Sequence, residues 1–139
     1  MTESDFWKYI RQGLTGRAHL TRIESSAGNG VPDVSIGLPK RNAWIELKYI
    51  RYWPKRPSTK LRLPLRPEQR LWITARGSLS GDVWVLCRVD TAIFLLTSQQ
   101  AAEACDGWVS AQWYSNATKY WTGGKIEFTE LLNALNGQN

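Results

Sequence analysis

Histidine occurs once and methionine once in these 139 residues, and cysteine only twice. A zinc site built from clustered Cys and His side chains has little material here. Cys87 and Cys105 are too few for a disulfide framework in a chain of this size, and Cys87 lies inside an apolar run, where a buried free thiol is expected. No apolar run approaches the roughly 18–20 residues of a membrane span. The first residues, with Glu3, Asp5 and Lys8, lack the basic-then-apolar layout of a secretory signal, so a cytoplasmic protein is the expectation. Internal repeats and low-complexity tracts are also missing. Acidic residues are scarce as well, 12 against 18 lysines and arginines.

What is present is ordinary in amount and uneven in placement. The hydrophobic fraction of 42% and charged fraction of 22% suit one globular domain with a single core. Residues 1–76 carry 15 Lys/Arg and 6 Asp/Glu, whereas residues 77–139 carry 3 and 6. Basic charge gathered in one half points to an anionic partner, and nucleic acid comes first because its phosphates form a dense charge array. Eight tryptophans are many for this length; most are expected in the core, with one or two free to stack on bases.

Along the chain, Thr2 caps a first helix carrying Phe6, Trp7, Ile10 and Leu14 at helical spacing, ended by Gly13 and Gly16. Residues 17–24 alternate as a strand, and 25–30 form a small-residue loop. Residues 31–37 and 43–50 read as strands joined by a basic turn around Lys40-Arg41-Asn42. Residues 51–66 hold six Lys/Arg, no acid and three prolines, the mark of an extended loop or arm. Pro67 opens a helix that stops at Gly77. Residues 83–89 and 92–97 suit buried strands, and Ser98 caps a short helix to Cys105. Residues 108–127 show no firm periodicity. Thr129 caps a last helix ending at Gly137. The expected architecture is one mixed α/β domain with a central sheet.

Strand alternation puts Asp33 and Ser35 on one face of 31–37, and Glu46 and Lys48 on one face of 43–50. In a hairpin, the sum of opposed residue numbers decides whether those faces coincide. Sums of 79 or 81 gather Asp33, Glu46 and Lys48 on one side of the sheet; an even sum separates them. Two carboxylates held a few ångströms apart repel each other, and a cation between them relieves that repulsion. Hard oxygen donors favour Mg²⁺, with Mn²⁺ as a substitute, and the Leu47 carbonyl is a further candidate ligand. A lysine two residues beyond the second acid can orient a metal-bound water or stabilise charge on a phosphorus centre. The constellation therefore reads as a metal-dependent site for phosphodiester hydrolysis.

Pro32-Asp33, followed thirteen positions later by Glu46-Leu47-Lys48, resembles the PD-(D/E)XK nuclease superfamily. The fuller set, Gly30-Val-Pro-Asp33, Trp44-Ile-Glu-Leu-Lys48 and Arg66-Pro-Glu-Gln69, is similar to its VRR-NUC branch, small stand-alone nucleases of phages and bacteria. The resemblance runs from Glu3 to about Gly77, with 83–97 completing the core. It implies a restriction-endonuclease-like domain, a central mixed sheet flanked by helices, with a core of about 1–97 and a C-terminal extension at 98–139. It implies that Asp33 and Glu46 ligate the metal, that Lys48 is the catalytic lysine, and that Gln69 supports the active-site water or phosphate. A further acid is implied, with Glu3 and Glu24 both in position to supply it.

The basic arm would track a DNA backbone through Arg51, Lys55, Arg56, Lys60, Arg62 and Arg66, with Lys40, Arg41 and Arg70 adding charge. Tyr52 or Trp53 is available to stack on an unpaired base. His19 is given no role. The function so implied is a Mg²⁺-dependent DNA endonuclease for branched DNA in repair or recombination, Holliday-junction resolution in its sharpest form. Paired cuts call for a homodimer, and the Trp-rich 108–121 could supply its surface or simply pack in the core. The competing readings are a non-catalytic DNA-binding or assembly module, and a nuclease for single-stranded DNA or RNA.

Overall fold

The computed structural model describes residues 1–23 and 30–137. Glu24, and all of the expected 25–30 loop except Gly30, lie outside the described residues. A single α/β domain is built on one six-stranded mixed sheet whose strands lie side by side in chain order. The strands are β1 (His19–Arg22), β2 (Val34–Leu38), β3 (Arg41–Ile50), β4 (Val83–Val89), β5 (Ala92–Thr97) and β6 (Lys119–Trp121). All neighbours are antiparallel except β3 and β4, which run parallel. A parallel pair needs a crossover. Residues 51–66 and helix α2 (Pro67–Leu79) form it.

Helix α1 (Glu3–Leu14) starts where the sequence indicates. The Thr2 hydroxyl accepts the Asp5 N–H at 3.1 Å, and the Asp5 carboxylate accepts the Thr2 N–H at 2.9 Å. Its apolar stripe, Phe6, Ile10 and Leu14, is fully buried. One face of the sheet packs on α1 and on α5 (Phe128–Leu135) through Ile36, Ile45, Leu47, Leu86, Ile93 and Leu131. The other face packs on α2, α3 (Ser98–Asp106) and α4 (Ser110–Asn116) through Ile73, Val85, Cys87, Phe94, Ala101 and Trp113.

Several boundaries differ from expectation for identifiable reasons. Gly13 and Gly77 lie inside helices instead of ending them. The Phe128 ring and the Ser98 side chain occupy the space a Cβ would need, so these glycines serve close packing. The β2–β3 turn is only Pro39-Lys40, with Lys40 at φ 66°, so Arg41 and Asn42 belong to β3. Thr97 caps α3 in place of Ser98, its hydroxyl accepting the Gln100 N–H at 3.1 Å. Glu127 caps α5 in place of Thr129, its carboxylate accepting the N–H groups of Thr129 and Glu130. The aperiodic 108–127 stretch contains α4 and β6.

None of the eight tryptophans is exposed. Trp108, Trp113 and Trp121 are buried and the other five, Trp53 among them, are half-buried, so none stands wholly clear of the core. Cys87 is a buried free thiol, as expected, and Cys105 is free and half-buried. Among the described residues, no helix is long and apolar enough to cross a membrane.

Candidate active site

The two-residue turn sets the β2–β3 register: Leu38 faces Arg41, and Val34 faces Ile45. Every opposed pair sums to 79, so Asp33, one step before β2, lies opposite Glu46. The odd register gathers Asp33, Glu46 and Lys48 on one side of the sheet, the side covered by α2. Two backbone bonds lock the acids together. The Asp33 N–H donates to Glu46 Oε1 at 3.2 Å, and the Leu47 N–H donates to Asp33 Oδ2 at 3.0 Å. In an extended strand the N–H and C=O of one residue point the same way. The Leu47 carbonyl therefore faces the side on which Asp33 lies, just past the end of β2.

Glu46 is 1% exposed, although it carries a carboxylate. Its Oε2 accepts the Gln69 amide at 3.0 Å and lies 3.3 Å from the Lys48 ammonium. Gln69 is itself held from behind: its Oε1 accepts the Arg66 N–H at 2.9 Å, satisfying an orphan donor at the start of α2. The same side chain thus caps the helix and fixes the acid. Pro67 at the first helical position needs no N–H partner. Gly30 completes the contact between loop and helix. It sits at φ 81° with the Glu68 carbonyl where a Cβ would lie, so the residues leading to Asp33 rest directly on the α2 backbone. The role of Gly30 is signalled in the sequence only by its place three residues before Asp33.

These surroundings push the Glu46 pKa up to about 8. Burial is the first cause and the Asp33 charge the second, while Lys48 opposes both. Burial and the neighbouring acid thus favour the protonated form of Glu46, and a divalent ion can take that proton's place. The oxygen donors of Asp33, Glu46 and Leu47 suit a hard ion such as Mg²⁺. Among the described residues, no three His, Cys, Asp or Glu side chains form a metal-holding group. Glu3, exposed at the start of α1, thus does not complete a triad with Asp33 and Glu46. It does feel the site: partial burial raises its pKa, Lys48 lowers it and Asp33 raises it again. Cys87, opposite Lys48 in the parallel ladder, is buried, and burial drives its thiol pKa upward, so it stays an inert packing group.

The arm is extended, as its composition suggested, but it is packed against the domain. Leu61, Leu63 and Leu65 turn inward, while Lys60, Arg62 and Arg66 face solvent. Leu61 and Trp108 exchange backbone hydrogen bonds at 2.8 and 3.1 Å, and the Leu63 N–H donates to the Ala104 carbonyl at 2.9 Å. The arm is therefore an extended strip laid against α3, with its cations turned outward. Arg51, Lys55 and Arg56 are also exposed, and the Arg51 guanidinium covers the Tyr52 ring at 5.2 Å. Trp53 is half-buried, edge-on to Phe94 at 5.9 Å. Three of the expected DNA-binding cations stand apart from the arm. Arg41 pairs with Asp82 at 4.0 Å and donates to the Leu135 carbonyl at 3.2 Å. Arg70 makes two bonds to Asp106, at 3.1 and 3.3 Å. Lys40 is exposed at the far turn.

No protein-family model matches the chain, and no curated protein sequence does. Among solved structures, it is similar to Hjc of Archaeoglobus fulgidus, a Holliday junction resolvase from an archaeal hyperthermophile. The TM-score is 0.49 and the identity 15%, over 69% of this chain and 77% of that one, a likeness too slight to carry chemistry between the two.

Proposed function

We propose that this chain is a divalent-metal-dependent DNA endonuclease, with Asp33, Glu46 and the Leu47 carbonyl as ligands and Mg²⁺ as the native ion. The observation that carries the reading is the buried Glu46 carboxylate, held by Gln69 and Lys48 against a second carboxylate on the same face. When bound, the ion supplies Lewis acidity and an activated water. The chain's own residues do the rest. Gln69 and the Asp33 N–H hold Glu46 in one rotamer. Lys48 presents its ammonium to the charge that develops on the phosphoryl oxygens and the leaving oxygen. Glu24 is the candidate for a further ligand, and Glu3, which does not join the two acids, is a candidate for a catalytic acid acting beside them.

The exposed cations of the arm follow β3 directly and return to the chain at α2, so both ends of the strip flank the acids. Cations two apart along an extended segment are about 6.6 Å apart, a spacing that suits contact with successive phosphates of a strand. Branched or junction DNA is the proposed substrate, cut by a homodimer that delivers paired incisions. The test is cleavage of four-way junction, flap and linear duplex DNA with and without Mg²⁺. Wild-type protein should cut the branched substrates only with the ion, and Lys48→Ala should retain binding while losing cutting. Absence of cutting on every substrate, with Asp33→Ala binding DNA as the wild type does, overturns the nuclease reading.

A further inference from the structure

The arm and α4 together enclose a cleft of about 210 Å³ away from the carboxylates. Trp53, Pro54 and Pro57 form its walls on the arm side and Tyr114 on the α4 side, with Lys55 and Arg56 also lining it. The Trp53 and Tyr114 rings stack at 5.9 Å and 29°. Trp53 is braced edge-on by Phe94 at 5.9 Å and by Trp113 at 6.4 Å, so the aromatic wall is rigid before any ligand arrives. Among the described residues, neither Lys55 nor Arg56 has an acidic partner. Thr59 and Ser110 add hydroxyls to the lining.

The volume falls below the roughly 300–1,000 Å³ of sites that enclose a whole drug-sized ligand. It suits one flat ring system. Aromatic and proline faces favour stacking on such a ring, and two uncompensated cations beside it favour an attached phosphate. Trp53 follows Lys48 by five residues, so their Cα atoms are at most about 18 Å apart. A strand held at the acids can therefore reach the cleft within a few nucleotides.

We propose that this cleft takes an unpaired nucleobase of the bound DNA strand, seated against Trp53 and Tyr114, with its phosphate held by Lys55 and Arg56. The choice of DNA as ligand rests on the nuclease reading; the cleft and its cations do not. It would give the enzyme a physical reason to prefer branched or distorted DNA, because only there is a base free to leave the stack at no cost in pairing.

The test compares two duplexes in EDTA, one fully paired and one carrying a single bulged 5-iodouracil, by equilibrium binding followed by irradiation and mapping of the adduct. The bulged duplex should bind about tenfold tighter, within the range for one stacked base, and the adduct should fall on Trp53 or Tyr114. The double variant Lys55→Ala/Arg56→Ala, both on the exposed surface, should bring the preference close to one. Equal affinity for the two duplexes, adducts confined to other residues, or an unchanged preference in the double variant would each overturn the proposal. Mg²⁺-dependent cutting of four-way junction, flap and linear duplex DNA, measured in parallel, separates the two claims. Cutting without a bulge preference ends the cleft proposal and leaves the nuclease reading standing. A bulge preference with the expected adduct, but no cutting, supports the cleft and ends the hydrolase reading. Tighter binding of the same bulge in RNA overturns the choice of DNA.

Discussion

The two faces of the sheet are built to different rules. On the α1/α5 face, the buried side chains of the described residues are apolar throughout: Phe6, Ile10, Leu14, Ile36, Ile45, Leu47, Leu95 and Leu131. On the α2/α3 face, equally apolar packing around Phe94 and Trp113 is interrupted by Glu46 and Gln69, the buried polar side chains of the described residues. Strand β3 contributes to both, with Ile45 and Leu47 turned one way and Glu46 and Lys48 the other. One face therefore supplies stability, while the other gives up some of it to hold charge where water is excluded. A buried acid beside a second acid costs folding free energy, and it persists only where something else compensates.

The largest expected effect lies on the polar face. Asp33→Ala should lower Mg²⁺-dependent cleavage by at least about a thousandfold, beyond the usual loss of one transition-state contact, because the ligand pair is broken. Thermal unfolding of the same variant should show little or no loss. On the apolar face the pattern inverts. Phe6→Ala should cost about 3–5 kcal/mol of unfolding free energy by urea titration. The fraction that remains folded should keep its cleavage rate per folded molecule.

Gly30→Ala should couple the faces' separate roles. The left-handed φ costs about 1–2 kcal/mol for a residue with a Cβ, and the Glu68 carbonyl stands in the way. Moving the start of α2 would carry Gln69 away from Glu46, so stability and cleavage should fall together.

A smaller, pH-dependent effect follows from Glu46. Its folded pKa of about 8 lies above the ordinary value of 4.5, so between those pH values the folded state holds a proton that the unfolded state has released. The contribution of Glu46 to metal-free stability is therefore fully present below pH 4.5 and declines as pH rises toward 8, by at most about 1.4 kcal/mol per unit. Glu46→Gln should remove that slope and raise stability at pH 8 while abolishing cutting. Chemical denaturation in EDTA at pH 5, 6.5 and 8 measures it, and added Mg²⁺ should restore stability most at pH 8. The smallest effect belongs to the arm. Lys60→Ala/Arg62→Ala should reduce the slope of log K against log[salt] by about 2, with little change in the unfolding midpoint.

Much of this division could be read in the residues themselves. Alternation in 31–37 and 43–50 separates the two faces of the hairpin, and an odd register is enough to bring Asp33, Glu46 and Lys48 together. The choice of 79 over 81 depended on the turn being Pro39-Lys40, which the basic run Lys40-Arg41-Asn42 obscured. The role of Gln69 was half visible: its place three residues into a helix opened by Pro67 suits a cap, but its second bond, to Glu46, exists only in the folded molecule. The arm was the largest difference. Its prolines and cations signal a loop, yet Leu61-Arg62-Leu63-Pro64-Leu65-Arg66 already alternates apolar and outward-facing residues as a packed strip does. Helix α4 and β6 left no periodic trace because seven- and three-residue elements are too short to show one.

The ion itself is the most direct object of measurement. Crystals soaked in Mn²⁺ and examined by anomalous scattering should show a peak about 2.1 Å from carboxylate oxygens of both Asp33 and Glu46, absent from Asp33→Ala crystals soaked in the same way. An ordered site with no peak between the two acids, or a peak that survives the substitution unchanged, would contradict the account.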